Sequence, residues 1–132
     1  MAVRDGGSSV AHRVLIVEDD AEVLGTLRAL LQQNGCEVLG ARNGAEAMAA
    51  LSAPESELPH VVILDLGLPL EGGVSVLHFL RKVMGSTMPV IVLTGRAYPD
   101  EEEAVRELGV SEYLHKPASS ETILSAIARA LE

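Results

Sequence analysis

His60-Val61-Val62-Ile63-Leu64-Asp65-Leu66-Gly67-Leu68-Pro69 decides the fold. Four apolar residues, three of them β-branched, run straight into a carboxylate. β-Branched side chains favour the pleated conformation, and the run is too short for a helix. An apolar run without polar alternation predicts a central strand of a parallel sheet, covered on both faces. Asp65 then stands at the carboxyl end of that strand, the edge where open α/β sheets bind ligands. Taken alone, the segment reads equally well as a strand in which Asp65 only begins a turn toward Pro69. Residues elsewhere decide between the two.

Upstream, Val14-Leu15-Ile16-Val17 is a second buried strand that runs into Glu18-Asp19-Asp20. Asp20 suits the N-cap of a helix whose apolar positions are Val23, Leu24, Leu27, Leu30 and Leu31. Asn34-Gly35 closes that helix, and Cys36 to Ala41 is a short strand. Asn43-Gly44-Ala45-Glu46 resembles a capping box, opening a helix through Met48 and Leu51 that ends before Pro54. Ser52 to Pro59 is a polar loop. Downstream of the central strand, Gly72-Gly73 predicts a flexible loop, and Val74, Leu77, Leu80 and Met84 a helical face. Pro89 to Leu93 is a fourth strand ending in Thr94-Gly95. Asp100 to Leu108 predicts a helix capped by Asp100 with acids in its first turn, as the helix dipole favours. Tyr113-Leu114-His115 is a fifth strand. Ser119 or Ser120 caps a last helix with Ile123, Leu124, Ile127, Ala130 and Leu131 on one face. Strands and helices alternate strictly, which implies parallel strands, right-handed crossovers and helices on both faces.

Composition narrows the function. The 132 residues suffice for one domain with a real core. The net charge of −9 argues against a nucleic-acid surface, which needs clustered Lys and Arg. No apolar run approaches the ~20 residues of a membrane span. The single Cys36 has no disulfide partner within the chain and reads as buried filler. His12, His60, His78 and His115 lack a metal-ligand spacing and read as structural or surface residues. Residues 1–11 are polar and Gly/Ser-rich with no signal-peptide core, which predicts a flexible tail, a domain over 12–132 and a cytoplasmic location.

In a parallel sheet every strand delivers its last residue to one edge. The first brings Glu18 and Asp19, the third Asp65, the fourth Thr94 and the fifth Lys116, one of only two lysines. Crowded carboxylates repel unless a cation joins them. Oxygen ligands without His or Cys favour a hard ion, Mg²⁺ above Zn²⁺. Mg²⁺ keeps several waters and so leaves room for a phosphate oxygen. Lys116 and the Thr94 hydroxyl supply the positive charge and donor that a phosphoryl group needs. Asp65 remains as the nucleophile, since a carboxylate forms acyl phosphates. Each residue alone has a plainer reading: exposed acids at a helix start, a turn threonine, a surface lysine. Together, at one sheet edge, they read as a site.

Four stretches carry a family resemblance: Val14 to Asp20, Ile63 to Pro69, Val92 to Gly95, and Tyr113 to Pro117. In order and at fitting separations, they resemble the receiver domain of two-component response regulators. The resemblance covers residues 12–132 and implies a flavodoxin-like (βα)5 fold, a doubly wound five-stranded parallel sheet of order 2-1-3-4-5. It implies Asp65 as phosphoacceptor, with a histidine kinase or phosphotransfer protein as donor. It further implies Mg²⁺ bound by Asp19 directly, Glu18 through water, Asp65, and the backbone carbonyl of Gly67. Thr94 and Lys116 would hold the phosphoryl oxygens, Tyr113 would be the switch aromatic, and a cis peptide would join Lys116 to Pro117. A phosphorylation-dependent dimer and a downstream output domain or protein are also implied.

Three positions depart from the family pattern. Ala118 occupies a position often aromatic, which costs packing at the start of the last helix. Gly67 and Arg96 replace polar residues able to position an attacking water, so slow self-dephosphorylation is expected. An enzyme is the competing class. A phosphohydrolase with an Asp nucleophile would want a general acid, often two residues on, where Gly67 stands. A nucleotide-binding domain would want a Gly-rich turn after the first strand, where Glu18-Asp19-Asp20 stands. The expectation is therefore a signalling switch and not an enzyme.

Overall fold

The computed structural model describes residues 12–69, 72–96 and 98–132. The expected tail, residues 1–11, lies outside them. The elements are β1 (Arg13–Val17), α1 (Ala21–Gln33), β2 (Glu37–Ala41), α2 (Gly44–Leu51), β3 (Val61–Leu64), α3 (Gly72–His78), β4 (Val90–Thr94), α4 (Pro99–Leu108), β5 (Glu112–His115) and α5 (Ser120–Ala130). A 3₁₀ turn at Glu55–Glu57 interrupts the loop before β3, and a π-helical turn at Phe79–Val83 extends α3. The five strands form one sheet of order β2-β1-β3-β4-β5, with every pairing parallel.

Successive strand residues point to opposite faces, so the sheet divides two cores. Val14, Ile16, Val61 and Ile63 face Leu24, Leu27 and Leu31 of α1 and Ile123, Ala126 and Ile127 of α5. Leu15, Val17, Val62 and Leu64 face α2, α3 and α4 through Ala47, Leu51, Val76, Leu77 and Val105. Burial of each Val, Leu or Ile side chain contributes roughly 1.5–3 kcal/mol, which makes these two layers the main source of stability. Strand order reverses between β1 and β3, and the crevice at their carboxyl ends is the usual ligand position of such sheets.

Local chemistry sets the boundaries. Asp20 accepts from the N–H groups of Glu22 and Val23 at 2.9 and 3.1 Å and starts α1. Asn43 accepts from Glu46 N at 2.8 Å; the return bond to Glu46 comes from Arg42 N at 2.9 Å, one residue ahead of the cap. Ser119, not Ser120, caps α5.

Three expectations are corrected. Gly72-Gly73 is not a loop but the start of α3, held there by a Gly73 N bond to Leu66 O at 3.1 Å. Met84 does not continue the buried face. The π turn shifts the helical spacing, so Leu80 stays buried while Met84 is 38% exposed. Asp100 does not cap α4. Its N-cap is Tyr98, with no side-chain bond, because Pro99 lies in the first turn and brings no N–H of its own to satisfy. Arg81 secures the π turn: its guanidinium donates to the carbonyls of Gly109 at 2.9 and 3.1 Å, Ser86 at 3.0 Å and Met88 at 2.8 Å.

Candidate functional site

Backbone ladder bonds continue one residue beyond the strands and so place the functional side chains. Glu18 N donates to Ala41 O at 2.9 Å, Asp65 N to Val17 O at 3.0 Å, and Lys116 N to Thr94 O at 2.8 Å. Glu18, Asp65, Thr94 and Lys116 thereby reach the same edge. Glu18, Asp65 and Thr94 are only 2%, 7% and 0% exposed. Oxygens of Glu18, Asp19 and Asp65 lie within 4.8 Å of one another, Asp19 being the most solvent-facing of the three. Among the described residues this is the one cluster of three or more groups able to hold a metal ion.

Lys116 balances the buried acids. Its ammonium bonds Glu18 Oε1 and reaches Asp65 Oδ2 at 3.2 Å. Burial works against the lysine charge, but the bonds to Glu18 and the attraction of Asp65 outweigh it and raise the Lys116 pKa. Burial, reinforced by the Asp65 charge, pushes the Glu18 carboxyl above its ordinary range against the opposing pull of Lys116 and the Asp20 N–H. The Asp20 bond to Glu18 Oε2 is 3.0 Å, and Gly67 N donates to Asp65 Oδ1 at 3.0 Å. One Asp65 oxygen is thus steered by backbone and the other by the lysine. All donors at the cluster are oxygens, partly buried and incompletely neutralised by one lysine, which fits a hard divalent ion such as Mg²⁺.

The Thr94 hydroxyl accepts from Arg96 N at 3.2 Å. The Lys116–Pro117 peptide is cis. Tyr113 lies 5.2 Å from the Arg106 guanidinium and 5.3 Å from the His115 ring, and its buried hydroxyl has no hydrogen-bond partner among the described residues. Ala118 packs against the α1/α5 core beside a groove of about 660 Å³ that Leu27, Leu30, Leu93 and Ile123 also line. None of the histidines joins the acidic cluster: His12 and His60 contact each other edge-on at 5.4 Å, and His78 and the Tyr113 neighbour His115 are exposed. Cys36 is buried.

Two site contacts escaped sequence reasoning. Arg42 donates to the Asp19 carbonyl at 3.1 Å, across 23 residues of sequence, and no local pattern announces it. Glu101, one of the acids in the first turn of α4, is half-buried and paired with Arg96 at 3.3 Å. An acid a short step after a cation was its only sequence signal.

A family model described as the response regulator receiver domain matches residues 14–128. Transcriptional regulatory protein PrrA of Mycobacterium tuberculosis is 43% identical over 105 residues, spanning 80% of this chain and 43% of that protein. Response regulator MprA of Mycolicibacterium vanbaalenii is 37% identical over 113 residues, spanning 86% and 47%. The chain thus spans less than half the length of these curated relatives. A CheY-like receiver domain from Methanospirillum hungatei superimposes with a TM-score of 0.84 at 28% identity, covering 92% of this chain and 94% of that one. The chain belongs to the response regulator receiver domains of two-component signalling, whose chemistry is phosphorylation of an aspartate. No helix among the described residues is long and apolar enough to cross a membrane.

Proposed function

We propose that the chain is a phosphorylation-controlled switch in which Asp65 accepts a phosphoryl group from a histidine kinase or phosphotransfer protein. The P–N bond of the donor phosphohistidine breaks, a bond from an Asp65 carboxylate oxygen to phosphorus forms, and the imidazole leaves with the electron pair. What carries this reading is a buried carboxylate at a sheet edge, flanked by two further acids, facing one lysine and standing one strand from a buried hydroxyl. Glu18, Asp19, Asp65 and the Gly67 carbonyl would hold Mg²⁺, which supplies charge neutralisation for the transferring oxygens. Lys116 would exchange its Asp65 contact for a phosphoryl oxygen, and Thr94 would turn its hydroxyl from Arg96 N to another. Tyr113, whose hydroxyl has no partner among the described residues, would follow and reshape the face of α4, β5 and α5. The domain turns over no separate substrate, works in the cytoplasm without binding nucleic acid itself, and passes the change to an output domain, a partner or a second copy. Gly67 anchors no water, so reset relies on an external phosphatase or return to the kinase.

Beryllofluoride, a phosphoryl mimic, added with Mg²⁺ is expected to move amide resonances of Thr94, Tyr113 and α4. A ligand shifts a conformational equilibrium only through different affinity for its states, so binding with no movement there would reject the switch. Asp19→Ala is expected to weaken Mg²⁺ affinity by about tenfold or more in calorimetric titration. Unchanged affinity would place the ion elsewhere.

A further inference from the structure

One residue links the phosphoacceptor to α4, and this inference rests on the reading of Asp65 above. Arg96 leaves β4 two residues after Thr94 and turns back over Gly67. The point where a Cβ on Gly67 would stand is 3.5 Å from Arg96 Cδ and 3.6 Å from Asp65 Oδ1. The guanidinium donates to the Leu66 carbonyl at 3.2 Å, pairs with Glu101 at 3.3 Å and lies 4.9 Å from the centre of the Tyr98 ring. The backbone N–H of the same residue occupies the Thr94 hydroxyl at 3.2 Å. Arg96 therefore touches the chain just after Asp65, the hydroxyl expected to bind phosphate, and the first turn of α4.

The arrangement is exchangeable. Among the described residues, Arg96 Nε and Glu101 Oε1 are buried without hydrogen-bond partners, so the pair leaves bonding capacity unused. The two side chains are 37% and 18% exposed, and a partly exposed single-contact pair shifts an equilibrium by no more than about fivefold. A phosphoryl group offers three acceptor oxygens and about two negative charges against one on Glu101. Guanidinium binds such a group through two parallel bonds.

We infer that Arg96 is a latch: Glu101 and the Leu66 carbonyl hold it while Asp65 is free, and the phosphoryl group takes it over, releasing the first turn of α4. Arg96 binds the phosphoryl group directly in this role. It is not a water-orienting base. It favours the phosphorylated state by holding phosphoryl oxygens, and it carries that event to α4 through the loss of its bond to Glu101.

The test is a double-mutant cycle on beryllofluoride affinity with Mg²⁺, read by amide resonances. Glu101→Gln frees the arginine and is expected to tighten binding about two- to fivefold. Arg96→Ala is expected to weaken it by about tenfold, with Arg96→Lys restoring part of the loss. With Arg96→Ala in place, Glu101→Gln should have no effect. The Arg96 Nε–H resonance should move on ligand binding in the natural protein. Additive effects, or an unchanged affinity in Arg96→Ala, would overturn the latch while leaving the phosphoacceptor reading intact. Failure of the natural protein to bind beryllofluoride would overturn both.

Discussion

Asp65→Asn is expected to abolish phosphoryl incorporation from acetyl phosphate and Mg²⁺. The amide is nearly the same size, and its oxygen can still accept from Gly67 N, which bonds Oδ1 at 3.0 Å. What disappears is the nucleophilic carboxylate oxygen, and no neighbour stands in for it. Glu18 bonds Lys116, and Asp19 lies toward solvent. Folding should survive, because Lys116 keeps its Glu18 partner and one buried charge has been removed. Intact-protein mass spectrometry gives the readout: one phosphoryl adduct on the natural protein and none on the variant, with thermal unfolding little changed. Equal labelling of the variant would reject Asp65 as acceptor. Loss of labelling together with unfolding would be uninformative about chemistry, so Asp65→Glu serves as a second, charged control.

The second large effect is structural. Gly73→Ala is expected to destabilise the domain by about 3 kcal/mol, lowering Tm by roughly 10 °C. An added Cβ would stand 2.4 Å from Asp65 O, 2.6 Å from Leu66 Cα and 3.0 Å from Asp65 C. All three are backbone atoms and have no rotamer to retreat into. Gly73 N also bonds Leu66 O at 3.1 Å, so moving α3 away breaks that contact. Phosphorylation should suffer too, since the clash falls on the backbone that aims Asp65. Gly25→Ala is the matched control. It lies within α1 with nothing within 4 Å of the added atom, and it should gain about 0.5–1 kcal/mol from helix propensity. A Gly73→Ala protein as stable as its parent would show that the strand end yields to the helix.

These two glycines show where sequence reading stops. Gly72-Gly73 suggests flexibility by composition, yet Gly73 is the point of closest approach between α3 and the strand end. Only tertiary geometry distinguishes a glycine chosen for freedom from one chosen for thinness. The strands and the caps at Asp20 and Asn43 were legible because their causes are local: apolar runs, and oxygen-bearing side chains just before a helix; the last cap was legible only as Ser119 or Ser120, two equivalent hydroxyls side by side. The edge residues Glu18, Asp19, Asp65, Thr94 and Lys116 were legible because parallel topology sends every strand end to one side. The π turn at Phe79–Val83 was not, since the apolar spacing of Val74, Leu77 and Leu80 suits an α-helix and only Met84 breaks from it. Glu101 was hidden among neighbouring acids, and its burial depends on the path that Arg96 takes. The capping of α4 was misplaced by two residues because Pro99 enters the first turn and shifts the start to Tyr98.

Burial of β3 on both faces has a consequence for assembly of the sheet. In a strand covered on one side, alternation of polar and apolar residues penalises a slip of one position. Val61–Leu64 has no such alternation, because every residue is apolar and buried. Misalignment by one would merely trade one hydrocarbon for another along its length. The penalty lies at the ends. A slip in one direction draws Asp65 into the place of Leu64, between Val17 and Val92 and out of reach of Lys116. A slip in the other brings His60 into the place of Val61, beside Val14. An unpaired carboxylate there costs several kcal/mol, more than any apolar exchange could return. The acid that we propose takes up phosphate thus also serves as an alignment mark, halting the growing strand pair at the one offset in which the sheet is complete.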